Sequence, residues 1–267
     1  MLGGTELSRR RFVGLAALAA GLTAPPGPRQ AASAPALEEL HRPRLRVPTA
    51  TSNGARVPIV VDVPHPMTPE HRITGLTVVS ARDPVPVKGT FEFSPANGRA
   101  YVAFQARLDE GASTVTATAE CGRHGRFGAT AAVMIAEGGG GCAGGAPARI
   151  APDDIRPPVI RIPQLVADGR VRPGDVIDVQ VKTRHPNRTG LVVRDGAFVQ
   201  ESEPFHLSEL VVLYGSEPVS RFVLSAALSD NPLITFKLWA RRAAPIRVLL
   251  TNTRGQRFEG THELRWE

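Results

Sequence analysis

The stretch Val115-Thr116-Ala117-Thr118-Ala119-Glu120-Cys121 alternates small apolar and polar side chains. Successive side chains of a strand point to opposite faces, so the alternation predicts a half-buried strand with Val115, Ala117, Ala119 and Cys121 inward. A glycine-bearing turn is expected over 122–128, and 129–135 returns as the partner strand. The returning strand runs directly into Glu137-Gly138-Gly139-Gly140-Gly141-Cys142-Ala143-Gly144-Gly145-Ala146-Pro147. Here a β-hairpin ends in a single thiol among residues with almost no side chains. Glycine loses more chain freedom on ordering than any other residue, so this segment is expected to be a mobile, solvated arm. A thiol on such an arm is expected to keep an ordinary pKa of about 8.5.

Short strands recur on both sides of this hairpin. Upstream they are expected over 57–63, 73–80, 90–93 and 100–106, with Asn97-Gly98 as a tight turn and one helical turn over 36–40 before Pro43. Downstream, Ile177, Val179 and Val181 alternate with Asp178, Gln180 and Lys182, and further strands are expected over 209–214, 221–225, 234–239, 246–251 and 262–266. With 42% apolar residues a core can form, and 26 Gly and 24 Pro against 5% aromatics favour strands joined by turns. The expectation is an all-β protein: two Ig-like β-sandwich domains, over 35–137 and 159–267, joined by a Gly-rich cysteine arm and linker over 138–158.

The N-terminus reads as an address. Ser8-Arg9-Arg10-Arg11-Phe12-Val13, an apolar run over 14–24 and the small residues Ala31-Ala32-Ser33-Ala34 have the order of a cleaved export signal of the twin-arginine type. That assigns 1–34 to a signal peptide and the mature chain to the periplasm, with no membrane association after cleavage. The apolar run is shorter than the roughly 20 residues of a spanning helix. Of the net charge of +7, residues 1–34 carry +3, and the remaining arginines are scattered without basic runs or interleaved aromatics. Nucleic-acid binding is therefore not indicated.

Other chemistries find little support. Gly139-x-Gly141-x-x-Gly144 matches a dinucleotide fingerprint in form, but Pro147, Pro152, Pro157 and Pro158 exclude the helix that motif requires. The seven histidines, at 41, 65, 71, 124, 185, 206 and 262, show no pair at metal-ligand spacing, so no metal and no cofactor are expected. His65-Pro66 and His185-Pro186 each follow an early strand and are expected to shape strand ends. Cys121 is expected to be a small buried hydrophobe. A Cys121–Cys142 disulfide is the alternative, disfavoured because the two lie at opposite ends of the hairpin and residues 136–142 reach at most about 23 Å. A thiol oxidoreductase would need a resolving cysteine nearby.

Taken together the chain resembles the periplasmic SoxYZ sulfur carrier, with both subunits fused. The SoxY likeness lies in Val57-Pro58-Ile59-Val60-Val61, Pro66-Met67-Thr68, Phe93-Ser94-Pro95-Ala96-Asn97-Gly98-Arg99-Ala100 and Gly140-Gly141-Cys142. The SoxZ likeness lies in Ile160-Arg161-Ile162-Pro163, Gly174-Asp175-Val176-Ile177, His185-Pro186-Asn187-Arg188-Thr189-Gly190 and Ser229-Asp230-Asn231-Pro232. The resemblance implies a carrier, not an enzyme. It implies that Cys142 takes covalent thiosulfate-derived cargo, while Gly138, Gly139, Gly140, Gly141, Ala143, Gly144 and Gly145 form a flexible arm. The implied partners are a c-type cytochrome conjugating enzyme, a sulfate-releasing hydrolase and a sulfane dehydrogenase. Fused SoxYZ-like proteins associated with quinoprotein dehydrogenase systems supply an alternative setting, and a non-catalytic adhesion or scaffold module is the rival class. The two halves are expected to pair as SoxY and SoxZ do.

Overall fold

The computed structural model describes residues 34–143 and 155–266. A short helix α1 (Ala34–His41) precedes strands β1 (Arg44–Arg46), β2 (Ala50–Thr51), β3 (Val57–Val63), β4 (Ile73–Ser80), β5 (Val87–Phe93), β6 (Ala100–Ala106), β7 (Gly111–Cys121) and β8 (Gly125–Ile135). The second half holds β9 (Arg156–Arg161), α2 (Pro163–Asp168), β10 (Val176–Arg184), β11 (Leu191–Arg194), β12 (Ala197–Gln200), β13 (Leu207–Tyr214), β14 (Glu217–Leu224), β15 (Leu233–Trp239), β16 (Ala244–Asn252) and β17 (Arg257–Leu264). The protein is all-β and sandwich-like. A six-stranded sheet runs β1-β3-β6-β15-β10-β9, a nine-stranded sheet runs β17-β16-β13-β14-β5-β4-β7-β8-β2, and β11-β12 stands as a separate hairpin.

Both large sheets are continuous across the two halves. β5 pairs antiparallel with β14, setting Phe91 opposite Phe222 and Phe93 opposite Ser220. β6 pairs with β15 through Val102–Phe236 and Ala103–Thr235. Alternation puts one side chain in two between the sheets, so Phe91, Phe222 and Phe236 come from both halves into one core. Their rings meet edge to face, Phe91–Phe222 at 5.2 Å and Phe222–Phe236 at 5.7 Å between centroids. Asn97 adds a polar lock. Its 3-10 turn (Pro95–Asn97) ends on Gly98 at φ 67°, and its buried Nδ2 donates to Ser220 Oγ and the Lys237 carbonyl, both at 2.8 Å. The expected pairing of halves is thus a shared pair of sheets.

Several boundaries differ from expectation. The turn expected over 122–128 contracts to three residues, because Cys121 already pairs with Gly125. β9 begins at Arg156, inside the expected linker, and its two prolines are tolerated because it lies at a sheet edge. Gly144 and Gly145, together with the rest of 144–154, lie outside the described residues. The β11-β12 hairpin adds to the expected strands, and Asp195-Gly196 (φ 51° and 77°) is its two-residue turn with both residues left-handed, a strong hairpin signal. Among the described residues no helix is long and apolar enough to cross a membrane.

Candidate functional site

Cys142 is not on a solvated arm in this structure. The segment runs over the seam of the two halves with Gly138 and Gly140 exposed and Gly141 and Cys142 buried, Cys142 being 1% exposed. The arm is held through its own backbone. Gly54 N–H donates to the Gly139 carbonyl at 2.7 Å, and Gly141 N–H donates to the Leu108 carbonyl at 2.9 Å. Gly138 N–H reaches a Glu110 carboxylate oxygen at 2.9 Å. Arg107 Nη1 donates to the Gly141 carbonyl at 3.0 Å, and Thr189 Oγ1 to the Cys142 carbonyl at 2.8 Å.

The glycines permit this because the chain passes close to other backbone. A Cβ on Gly141 would stand 2.3 Å from the Gly54 carbonyl and the Ala55 nitrogen. One on Gly139 would stand 2.6 Å from the Ser52 carbonyl oxygen. Gly54 shows the same constraint from the other side, 2.5 Å from the Gly139 carbonyl oxygen. Mobility was the expected reason for the glycine run; in the described part, close approach is the reason the structure supplies. Ala143 is half-buried beside a cleft of about 270 Å³ that Asp109, Glu110, Val193 and Phe198 also line. One wall of that cleft comes from the β11-β12 hairpin.

The electrostatics follow from this burial. The Cys142 thiol is pushed up to about 12, well above the expected value, chiefly because burial removes water from the thiolate. The Lys88 ammonium and Arg107 guanidinium pull it down, while Asp83 and Asp109 push it up. Lys88 and Asp83 are themselves a buried ion pair at 2.6 Å, and Asp83 also accepts the Asp109 N–H at 3.0 Å. Seated in this way, Cys142 is a neutral thiol at physiological pH.

The fold brings several sequence motifs of the second half to the seat. Arg107 Nη2 donates to the Asn187 carbonyl and pairs with Asp230 Oδ1, each at 3.0 Å. Asp230 also receives Arg188 at 2.6 Å, and Ser229 Oγ donates to the Ala55 carbonyl at 2.8 Å. So His185-Pro186-Asn187-Arg188-Thr189-Gly190 and Ser229-Asp230-Asn231-Pro232 together build the far wall. Arg107 is the residue that sequence reasoning missed. It follows the last strand residue of β6 as an ordinary arginine, and only the tertiary fold shows that it ties arm, first half and second half together.

The histidines show no metal-ligand spacing along the sequence, yet tertiary structure brings several of them beside a cysteine. The fold gathers His41, His65, His71 and Cys121 so that one potential ligand atom of each lies within 4.8 Å of the others. Cys121 is buried at the end of β7, as expected. It is free, and so is Cys142.

A free thiol on a glycine segment, seated between two halves that share both sheets, defines the class by architecture: a two-part β-sandwich. Residues 30–142 match the family of sulfur oxidation protein SoxY, and residues 167–263 that of sulphur oxidation protein SoxZ. The chain belongs to these families in tandem, as a SoxY–SoxZ fusion. No curated protein sequence matches it. Among solved structures it is similar to a superoxide reductase (neelaredoxin) from Ignicoccus hospitalis, at 23% identity over 39% of this chain and 89% of that one, with a TM-score of 0.35. It is also similar to the fibronectin(III)-like modules of Clostridium thermocellum CbhA, at 9% identity over 84% and 94% of the two chains, with a TM-score of 0.23.

Proposed function

We propose that this protein is a covalent carrier of periplasmic sulfur oxidation, with Cys142 as the attachment point for thiosulfate-derived intermediates. The observation that carries the reading is the manner in which the thiol is held. The hydrogen bonds that seat 138–142 run to backbone at Gly54 and Leu108 and to the side chains of Glu110, Arg107 and Thr189, and the arm's own contribution is backbone throughout. Each such bond is worth about 0.5–1.5 kcal/mol net, and each residue released regains about 1–2 kcal/mol of chain freedom. The arm is therefore held weakly enough for a partner to draw it out, and tightly enough to keep the thiol from stray oxidants between visits.

Attachment is an oxidation. Joining the Cys142 thiol to the outer sulfur of thiosulfate forms a sulfur–sulfur bond and releases one proton and two electrons. This chain offers no second cysteine near Cys142 to take them, so a partner must, which suits a c-type cytochrome conjugating enzyme. A sulfate-releasing hydrolase and a sulfane dehydrogenase would act on the product. Export by the twin-arginine signal of 1–34 would bring the folded protein to that compartment. The test is reaction of the mature protein with thiosulfate and the oxidising fraction of its native periplasm, read by peptide mass. Cargo on Cys142, absent in Cys142→Ser, supports the proposal; cargo on Cys121, or none, overturns it.

A further inference from the structure

We propose that His41, His65, His71 and Cys121, joined on the solvent side by His124, bind one divalent first-row transition-metal ion. This site is separate from Cys142. The two ends of β7, Gly111 and Cys121, are ten residues apart, which is roughly 33 Å at about 3.3 Å per residue. Cys121 lies at one end, and Asp109 and Glu110 beside the arm lie at the other.

The spacing of the ring nitrogens suits an ion. His65 Nε2 is 3.0 Å from His71 Nε2, and His41 Nε2 is 3.4 Å from the same atom. His124 Nδ1 is 2.9 Å from His41 Nε2 and 3.1 Å from His71 Nε2. Metal–nitrogen bonds of about 2.0–2.1 Å hold neighbouring donors roughly 2.9 Å apart at a right angle and roughly 3.4 Å apart at the tetrahedral angle. All four separations fall in that interval.

Hydrogen bonding alone accounts poorly for the same contacts. His41 Nδ1 is 2.7 Å from the Leu37 carbonyl and His65 Nδ1 is 2.5 Å from the Pro66 carbonyl. A carbonyl only accepts, so both Nδ1 atoms carry the proton, and in the neutral rings both Nε2 atoms present lone pairs. Only His71 Nε2 and His124 Nδ1 remain to donate. They face each other, so protonating both sets one N–H against the other. Two protons at most must serve four contacts. A cation takes every lone pair at once, and a carbonyl on the outer nitrogen is the arrangement that orients ligating histidines.

The supports are rigid. His41 closes α1 and stacks on Phe127 at 4.6 Å. The loop bearing His71 is clipped by Thr68, whose Oγ1 accepts the His71 N–H and whose N–H donates to the His71 carbonyl, both at 3.1 Å. Cys121 and His124 flank the tight β7–β8 turn. Imidazoles with one thiolate suit zinc, iron or copper and exclude magnesium and calcium as preferred ions. His41, His65 and Cys121 are buried and His124 is exposed, so the ion would be reached from the His124 side.

The test uses the full mature chain, stripped of metal by a chelator and titrated with cobalt(II) as a spectroscopic probe. The expected result is saturation at one equivalent, a thiolate-to-cobalt charge-transfer band and a raised melting temperature. Cys121→Ser should abolish the band. His71→Ala should weaken uptake by at least about tenfold, and His124→Gln, on an exposed turn where folding is not at stake, should weaken it in the same direction. Cys142→Ser should change nothing. Absence of saturable uptake, or uptake unaltered in both histidine variants, overturns the proposal.

Discussion

The two cysteines of this chain lie at opposite ends of one hairpin and are both buried, yet their surroundings share almost nothing. At Cys121 the neighbours are side chains: histidine rings whose lone pairs converge. At Cys142 the arm is gripped only by its backbone, with glycines on both sides so that two chain segments can approach within a distance no Cβ would allow. A side-chain cage fixes a group permanently. A cage that grips only the backbone of a segment with almost no side chains of its own can release it. The comparison teaches that burial does not mean the same thing at both thiols, and it can be broken at either end.

The largest effect is expected from Gly141→Ala. A methyl 2.3 Å from backbone that cannot move aside should expel the arm. Cys142 labelling by a thiol reagent at pH 8 should rise by at least about tenfold, the factor that each 1.4 kcal/mol of lost seating is worth. Cys121 labelling should stay as it was. Equal rates in variant and parent would mean that the arm is already free in solution.

Arg107→Ala comes next. It strips partners from the Gly141 and Asn187 carbonyls and from Asp230. We expect a loss of about 1–3 kcal/mol in denaturant unfolding, with a smaller rise in Cys142 labelling than Gly141→Ala gives. A variant as stable as the parent would remove Arg107 from its place as the tie between the halves.

The two His-Pro corners extend the comparison to rings. His65 faces the histidine cluster, whereas His185 sits in an amide cage, with Nδ1 3.1 Å from Asn187 Oδ1 and Nε2 3.2 Å from Asn252 Nδ2. Burial, ahead of the opposing Asn187 bond, lowers His185 from its ordinary 6.5 to about 4. A ring kept neutral when folded takes up a proton more readily when unfolded. Its stability contribution is therefore present above about pH 6.5 and lost as pH falls towards about 4. His185→Gln should flatten that part of the stability–pH curve; an unchanged slope would place the titration elsewhere.

The smallest effect is expected from Gly140→Ala. Its Cβ would meet the mobile end of Asp109 at 2.9 Å, which can swing aside. Stability should stay within about 0.5 kcal/mol of the parent. A loss equal to that of Gly141→Ala would show that the arm is constrained along its whole length and not at two close crossings.

Much of the fold was legible because alternation reports a sheet face. Strands 57–63, 73–80 and 100–106 match β3, β4 and β6 residue for residue. What alternation cannot report is which strands become neighbours. The seam, where Phe91 meets Phe222 and Asn97 reaches Lys237, joins residues more than a hundred positions apart. The arm cysteine stood out by composition, but composition speaks of the released chain and is silent about the docked one. Six glycines between 138 and 145 fit both mobility and close packing, and only the neighbouring backbone at Gly54 and Leu108 distinguishes them. The histidine cluster hid for a related reason. Its members come from α1, two loop positions, the end of β7 and a turn, and the local signal, Cys121 and His124 three residues apart, is short enough to pass for a hairpin turn.

The central claim, that Cys142 carries the cargo, is tested most directly by intact mass and peptide mapping of the mature protein taken from its native periplasm during growth on thiosulfate. The account predicts a sulfur-containing adduct on the peptide bearing Cys142 and an unmodified Cys121. An adduct on Cys121, or Cys142 free in every molecule under those conditions, would contradict it.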